Sequence, residues 1–126
     1  MPYRFAIIGC GRIAEKHAQL IAQQGILAAV CDIDADKAAR LGSAYGARVY
    51  TDTQSLFKEE STDIVCICSP NGWHEAHTIQ ALRSGNHVLC EKPVAMNAQE
   101  LEEAIKVKNE TGKLFMEASW NRWHPR

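Results

Sequence analysis

Long apolar runs are missing from this chain: its longest cover a few residues, against the ~18 that a membrane-spanning helix needs. No membrane contact is expected, and residues 1–5 are too few and too polar for a secretory leader. Excess charge of either sign is missing too. Fourteen Lys and Arg against fifteen Asp and Glu leave a net charge of −1, which offers no broad cationic surface for nucleic acid. Eight glycines and four prolines among 126 residues are too few for a disordered or low-complexity chain. Cysteine is odd in number and forms no disulfide framework. Cys10, Cys31, Cys66, Cys68 and Cys90 lie mostly within or beside apolar runs, where a free thiol acts as a small hydrophobe in a reducing compartment. A metal site would want C-x-x-C or paired histidines; the cysteine pair present is Cys66-x-Cys68, whose members share one strand face, so no metal is expected. What remains is one soluble, cytoplasmic domain. It is 46% hydrophobic and long enough to bury roughly two-thirds of the surface its unfolded chain would expose.

What is present is an alternation. Residues 4–8 read as a buried strand, and Ile13, His17, Leu20 and Ile21 follow at helical spacing as far as Gly25. Residues 27–31 form a second strand, after which Asp34 is placed to cap a helix carrying Ala38, Leu41 and Tyr45, stopped near Gly46. A short strand at 48–50 and one or two helical turns at 54–58 lead to residues 63–68, the most β-like run in the chain. A helix over about 75–84 ends at Gly85, and a strand spans 87–90. Asn97 and Glu100 form a capping box for a helix that turns Leu101, Ala104 and Ile105 inward and closes at Gly112. Residues 114–118 are the last strand. Six strands and about five helices in strict alternation, with continuously apolar strands, predict an α/β Rossmann fold. Its sheet is doubly wound, parallel and six-stranded, with helices on both faces. An antiparallel α+β sheet would need hairpin turns, and none joins these strands.

The first strand runs straight into Gly9-Cys10-Gly11-Arg12-Ile13-Ala14, a G-x-G-x-x-A loop that opens the first helix. Gly9 allows the tight turn, Gly11 lets backbone approach a pyrophosphate, and Ala14 lets helix and strand pack closely. The helix start supplies free N–H groups and a partial positive charge, so Gly9, Cys10, Gly11, Arg12 and Ile13 are candidate cofactor contacts. A bare glycine motif also occurs in ordinary tight turns. Asp32 strengthens it. About twenty residues on, at the end of the second strand, its carboxylate suits the ribose hydroxyls of adenosine and repels a 2′-phosphate, favouring NAD over NADP. Asp34 competes for that role as well as for the helix cap. A methyltransferase domain also combines a glycine loop with an acid after strand two, and stays open at this point.

Ligands of such sheets sit at the carboxyl ends of the strands, which brings in the loops at 69–74 and 91–93. Ser69-Pro70-Asn71-x-x-His74, followed by Ala81-Leu82-x-x-Gly85-x-His87-Val88-Leu89-Cys90-Glu91-Lys92-Pro93, resembles the Gfo/Idh/MocA oxidoreductases. That family includes sugar, polyol and nucleotide-sugar dehydrogenases. The resemblance covers nearly the whole chain, from Gly9 to Asn121-Arg122-x-x-Pro125. It implies that Ser69, Pro70 and Asn71 run along the nicotinamide half of the cofactor, with His74 close behind. Glu91 would bond the nicotinamide ribose, and Arg122 joins the implied cofactor contacts. Lys92 is the implied catalytic residue. It would reach the substrate hydroxyl, orient it and ease loss of the proton that must leave with the hydride. From the residues alone, Lys92 is equally a surface lysine paired with Glu91, and His74 the opening residue of a helix. No role falls to His17, His77, His87 or His124, and Trp73 is either a cavity wall or loop packing.

Enzymes of the family carry a second, larger domain that supplies most substrate contacts. Residues 1–118 are therefore read as an NAD-binding domain, and 119–126 as the start of a crossover to a substrate domain. The 126 residues alone are expected to bind NAD without appreciable turnover. The whole enzyme is expected to be a homo-oligomer acting on a sugar, nucleotide-sugar or polyol hydroxyl, and the tail leans toward members that oxidise a 3-hydroxyl. A non-catalytic regulatory or redox-sensing NAD(P) module would need the glycine loop and Asp32 but not Lys92.

Overall fold

The computed structural model describes residues 2–118, and each strand in it pairs in parallel with its neighbours. Strands β1 (Arg4–Ile8), β2 (Ile26–Cys31), β3 (Arg48–Tyr50), β4 (Ile64–Ile67), β5 (His87–Cys90) and β6 (Phe115–Glu117) form one sheet. Their order is β3-β2-β1-β4-β5-β6. Helices α1 (Arg12–Gln24), α2 (Ala35–Tyr45), α3 (Thr53–Glu59), α4 (His74–Arg83) and α5 (Ala98–Thr111) fill the connections, with a 3₁₀ turn over Asn71–Trp73 ahead of α4. The expected alternation and winding are present. Strand order reverses between β1 and β4, so the loops leaving those strands diverge and open a crevice at the carboxyl edge.

Alternate strand residues feed two cores. Ile7, Val30 and Cys66 meet Ala14, Ala18, Ile21 and Leu41 beneath α1 and α2. On the other face Ile8, Cys31, Val65 and Val88 meet Leu56, Leu82 and Val107 beneath α3, α4 and α5. Burial on both faces is why these strands read as continuous apolar runs. The cysteines belong to this packing: burial pushes the thiols of Cys10, Cys31, Cys66 and Cys90 up to about 12. Side chains cap the starts of α2, α3 and α5. Asp34 accepts from the amides of Asp36 and Lys37, and Asn97 from that of Glu100.

Two helix faces differ from expectation. In α1 the buried stripe is Ala14, His17, Ala18 and Ile21, and Leu20 stands 42% exposed on the other side. In α5 Ala104 and Val107 are buried, whereas Leu101 and Ile105 are 37% and 41% exposed. Ala14 and Ala18 in α1 and Ala104 in α5 belong to the buried stripes, where small side chains let a helix sit nearer its neighbour. The bulkier side chains one step round are left outside. None of the described helices is long and apolar enough to cross a membrane.

Candidate cofactor site

The turn after β1 is closed by a backbone contact. Gly9 has φ +93°, and a Cβ there would fall 2.5 Å from both the Cys68 carbonyl carbon and the Ser69 nitrogen. No side chain is accommodated. Gly11 is the opposite case. It caps α1 without a side-chain hydrogen bond, and a Cβ on it would meet nothing within 4 Å. The first glycine thus closes against the loop after β4, while the second borders open space. Because α1 begins at that opening, its first N–H groups and the positive end of its dipole border the same space.

Asp32 joins the glycine loop to the end of β2. One carboxylate oxygen accepts from the Cys10 amide and the other from the Asp34 amide, each at 2.8 Å. An ionised carboxylate has about four acceptor sites, so capacity for further donors remains. A cavity of about 650 Å³ opens here. Its lining includes Gly9, Cys10, Gly11, Asp32, Ile33, Asp34 and Lys37 on one side and Cys68, Ser69, Pro70, Trp73 and His77 on the other. Ile33 and Trp73 are 90% and 58% exposed, so the walls offer apolar surface for a flat ring.

The loop after β4 is held from below. Ser69 is buried, with its hydroxyl 2.8 Å from His77 Nδ1, and the His77 ring stacks on Trp73 at a centroid distance of 5.7 Å. Burial lowers the His77 pKa and the adjacent His74 adds to the effect, so the neutral ring is favoured. Trp73 is therefore both cavity wall and loop packing.

Of the candidate residues, the cavity brings together Gly9, Cys10, Gly11, Asp32, Ser69 and Pro70. Arg12, Ile13, Asn71, Glu91 and Lys92 lie outside its lining, and Arg122 falls outside the described residues. His74 is only 1% exposed. Its Nδ1 is 2.5 Å from the Pro93 carbonyl oxygen and its Nε2 2.6 Å from that of Ser69. Instead of fronting the cavity, it ties the loop after β4 to the loop after β5. Glu91 hydrogen-bonds His17 of α1, and Lys92 is exposed, joined to Pro93 by a cis peptide. Not foreseen were Ile33, Lys37, Thr51, Asp52, Thr53 and His77 in the lining, and the His17 contact. A signal existed for two of them. Lys37 falls in the first turn behind the Asp34 cap, and His17 interrupts an apolar stripe where an aliphatic residue is the ordinary choice.

Residues 3–119 match the model of the Gfo/Idh/MocA proteins, an oxidoreductase family with an NAD-binding Rossmann fold. The chain belongs to this family. D-glucoside 3-dehydrogenase of Escherichia coli is 40% identical over 118 residues, which cover 90% of this chain and 34% of that protein. The scyllo-inositol 2-dehydrogenase (NADP(+)) IolU of Bacillus subtilis is 35% identical over 118 residues, 91% of this chain and 36% of its own length. Among solved structures, the WlbA dehydrogenase of Chromobacterium violaceum, in complex with NADH and UDP-GlcNAcA, aligns with a TM-score of 0.92. It is 31% identical, over 97% of this chain and 36% of that one. The chain spans about a third of the length of these relatives. Members named for NADP(+) and members holding NADH share the one dinucleotide fold.

Proposed function

We propose that this chain is the cofactor half of a dehydrogenase that moves a hydride between NAD and a sugar, nucleotide-sugar or polyol hydroxyl. The observation that carries the proposal is the opening at Gly11, where an uncapped helix start meets free space beside Asp32. These residues fit a dinucleotide. Amides at 11–13 would hold the pyrophosphate, Asp32 the adenosine ribose, and Ile33 and Trp73 the faces of the adenine. A negative charge at Asp32 opposes a 2′-phosphate, which supports NAD over NADP although Lys37 lines the same cavity.

When bound, the nicotinamide ring accepts or returns the hydride. Ser69, Pro70 and Asn71 would flank that half, and Glu91 would bond its ribose. Lys92 Nζ would hydrogen-bond the substrate hydroxyl and receive its proton as the C–H bond breaks. Substrate contacts would come from sequence of the kind that makes up the rest of the relatives' length, with 119–126, and Arg122 in it, leading there. The complete enzyme would assemble as a homo-oligomer.

Titration calorimetry of the chain with NAD and then NADP tests the first half, and NAD is expected to bind more tightly. Absence of heat with either at millimolar concentration would sink it. For the second half, Lys92→Ala in the complete enzyme is expected to cut kcat by about 10²–10⁴, with NAD affinity held within about threefold. Undiminished turnover would leave a dinucleotide binder without chemistry.

A further inference from the structure

Two buried histidines grip the loop that carries Lys92, and neither lines the cavity. His17 sits in the buried stripe of α1 between Ala14 and Ala18, only 5% exposed, and hydrogen-bonds the Glu91 carboxylate. His74 opens α4 and meets the carbonyl oxygens of Pro93 and Ser69. Carbonyl oxygens only accept and an imidazole tautomer carries one N–H, so the ring donates to one of these carbonyls and sits against the other. Burying an imidazole is costly unless its nitrogens are satisfied, and an aliphatic residue at position 17 would continue the stripe without that cost. The targets are not scattered. One histidine takes the residue before Lys92, and the other takes the residue after it.

The two helices also belong to opposite faces of the sheet, α1 to one core and α4 to the other. Glu91 N donates to Ile67 O at 3.0 Å as the chain leaves β5, and the two histidines add side-chain anchors to the loop on either side of Lys92. We propose that His17 and His74 are positioning residues for Lys92, a role that rests on the catalytic assignment of that lysine. The lysine stem has four rotatable bonds. Its terminal nitrogen meets a reacting oxygen reproducibly only if the backbone beneath it is fixed, and a misplacement of about 1 Å can cost about 100-fold in rate.

The test uses the complete dehydrogenase, with steady-state kinetics, NAD titration and thermal unfolding on each variant. His17→Leu removes the donor and keeps an apolar residue in the stripe, whereas His17→Gln returns a donor close to the position of Nε2. His17→Leu is expected to lower kcat about 10- to 100-fold while NAD affinity changes less than about threefold and the melting temperature holds. His17→Gln is expected to recover most of the rate, and the pH profile of kcat/KM should shift in the Leu variant alone. His74→Leu should lower kcat likewise, with His74→Asn regaining part of it; if the His74 variants do not fold, the His17 pair decides. If Lys92→Ala is inactive and His17→Leu is within twofold of the parent, positioning is overturned and the catalytic lysine stands. Equal losses in His17→Leu and His17→Gln, tracking a lowered melting temperature, also overturn it in favour of a packing role. A fully active Lys92→Ala removes the catalytic lysine itself, and positioning goes with it.

Discussion

The two ends of this site are built from different materials. At the glycine-loop end the device is backbone: a left-handed Gly9 pressed on another loop, an amide on Asp32, and a helix start with no side chain over it. At the Glu91–Pro93 end the chain path is held by side chains, His17 through a carboxylate and His74 through two carbonyls. The first device is written in six consecutive residues plus one acid. The second joins residues 74 and 19 positions apart. A backbone device recurs as a local pattern, while a clamp of distant side chains leaves no pattern of its own.

The contrast is sharpest between neighbouring glycines, and Gly9→Ala should have the largest effect. A methyl group there meets both an unfavourable φ and a fixed carbonyl, so a loss of about 3 kcal/mol is expected in denaturant unfolding. That is a large share of the ~5–15 kcal/mol typical of a domain. An unfolding curve superimposable on the parent's would show that the two loops yield easily. Gly11→Ala should do the reverse, leaving unfolding within about 1 kcal/mol because its Cβ meets nothing, yet weakening NAD by about 2 kcal/mol, roughly thirtyfold. Unweakened NAD binding would mean that the pyrophosphate lies elsewhere. Asp32→Ser comes next. Losing the carboxylate should shift the ratio of NADP to NAD affinity by about tenfold toward NADP, and a constant ratio would remove Asp32 from cofactor choice.

The smallest effect concerns α4, the helix that supplies His74. Glu75 lies in its first turn; hydrogen bonding toward Glu103, burial, and repulsion from Glu103 and Glu100 push its pKa up to about 7. An acid whose folded pKa is raised contributes stability that is full below about 4.5 and lost as pH rises through about 7. The melting temperature is therefore expected to fall modestly between pH 5 and 8, and Glu75→Gln should flatten that slope. A parent as flat as the variant would place the pH dependence in other groups.

Most of the fold was legible because each signal was local. Apolar strand runs, the Asp34 and Asn97 caps, and Gly46 and Gly112 at helix ends act over three or four residues, and each element stands within a few residues of its expected position. The inward face of α5 was not legible. Leu101, Ala104 and Ile105 satisfy the helical period as well as Ala104 and Val107 do, and only packing against α4 and the sheet selects between them. The site divides the same way. The glycine loop and Asp32 could be reasoned from chemistry, whereas Lys92 stood out through family resemblance. His17 looked inert because its partner is brought to it only by folding. His74 was expected at the cofactor, and instead both its nitrogens are occupied by the protein's own backbone.

The contact that forbids a side chain at Gly9 reaches further than the turn it closes. Gly9 abuts Ser69, Ser69 offers its carbonyl to His74, and His74 holds Pro93, the residue next to Lys92. These links make the rim of the crevice one continuous frame instead of separate loops. Alignment of the reacting groups is then a property of the whole frame, and a single methyl group at position 9 is sufficient to test its stiffness.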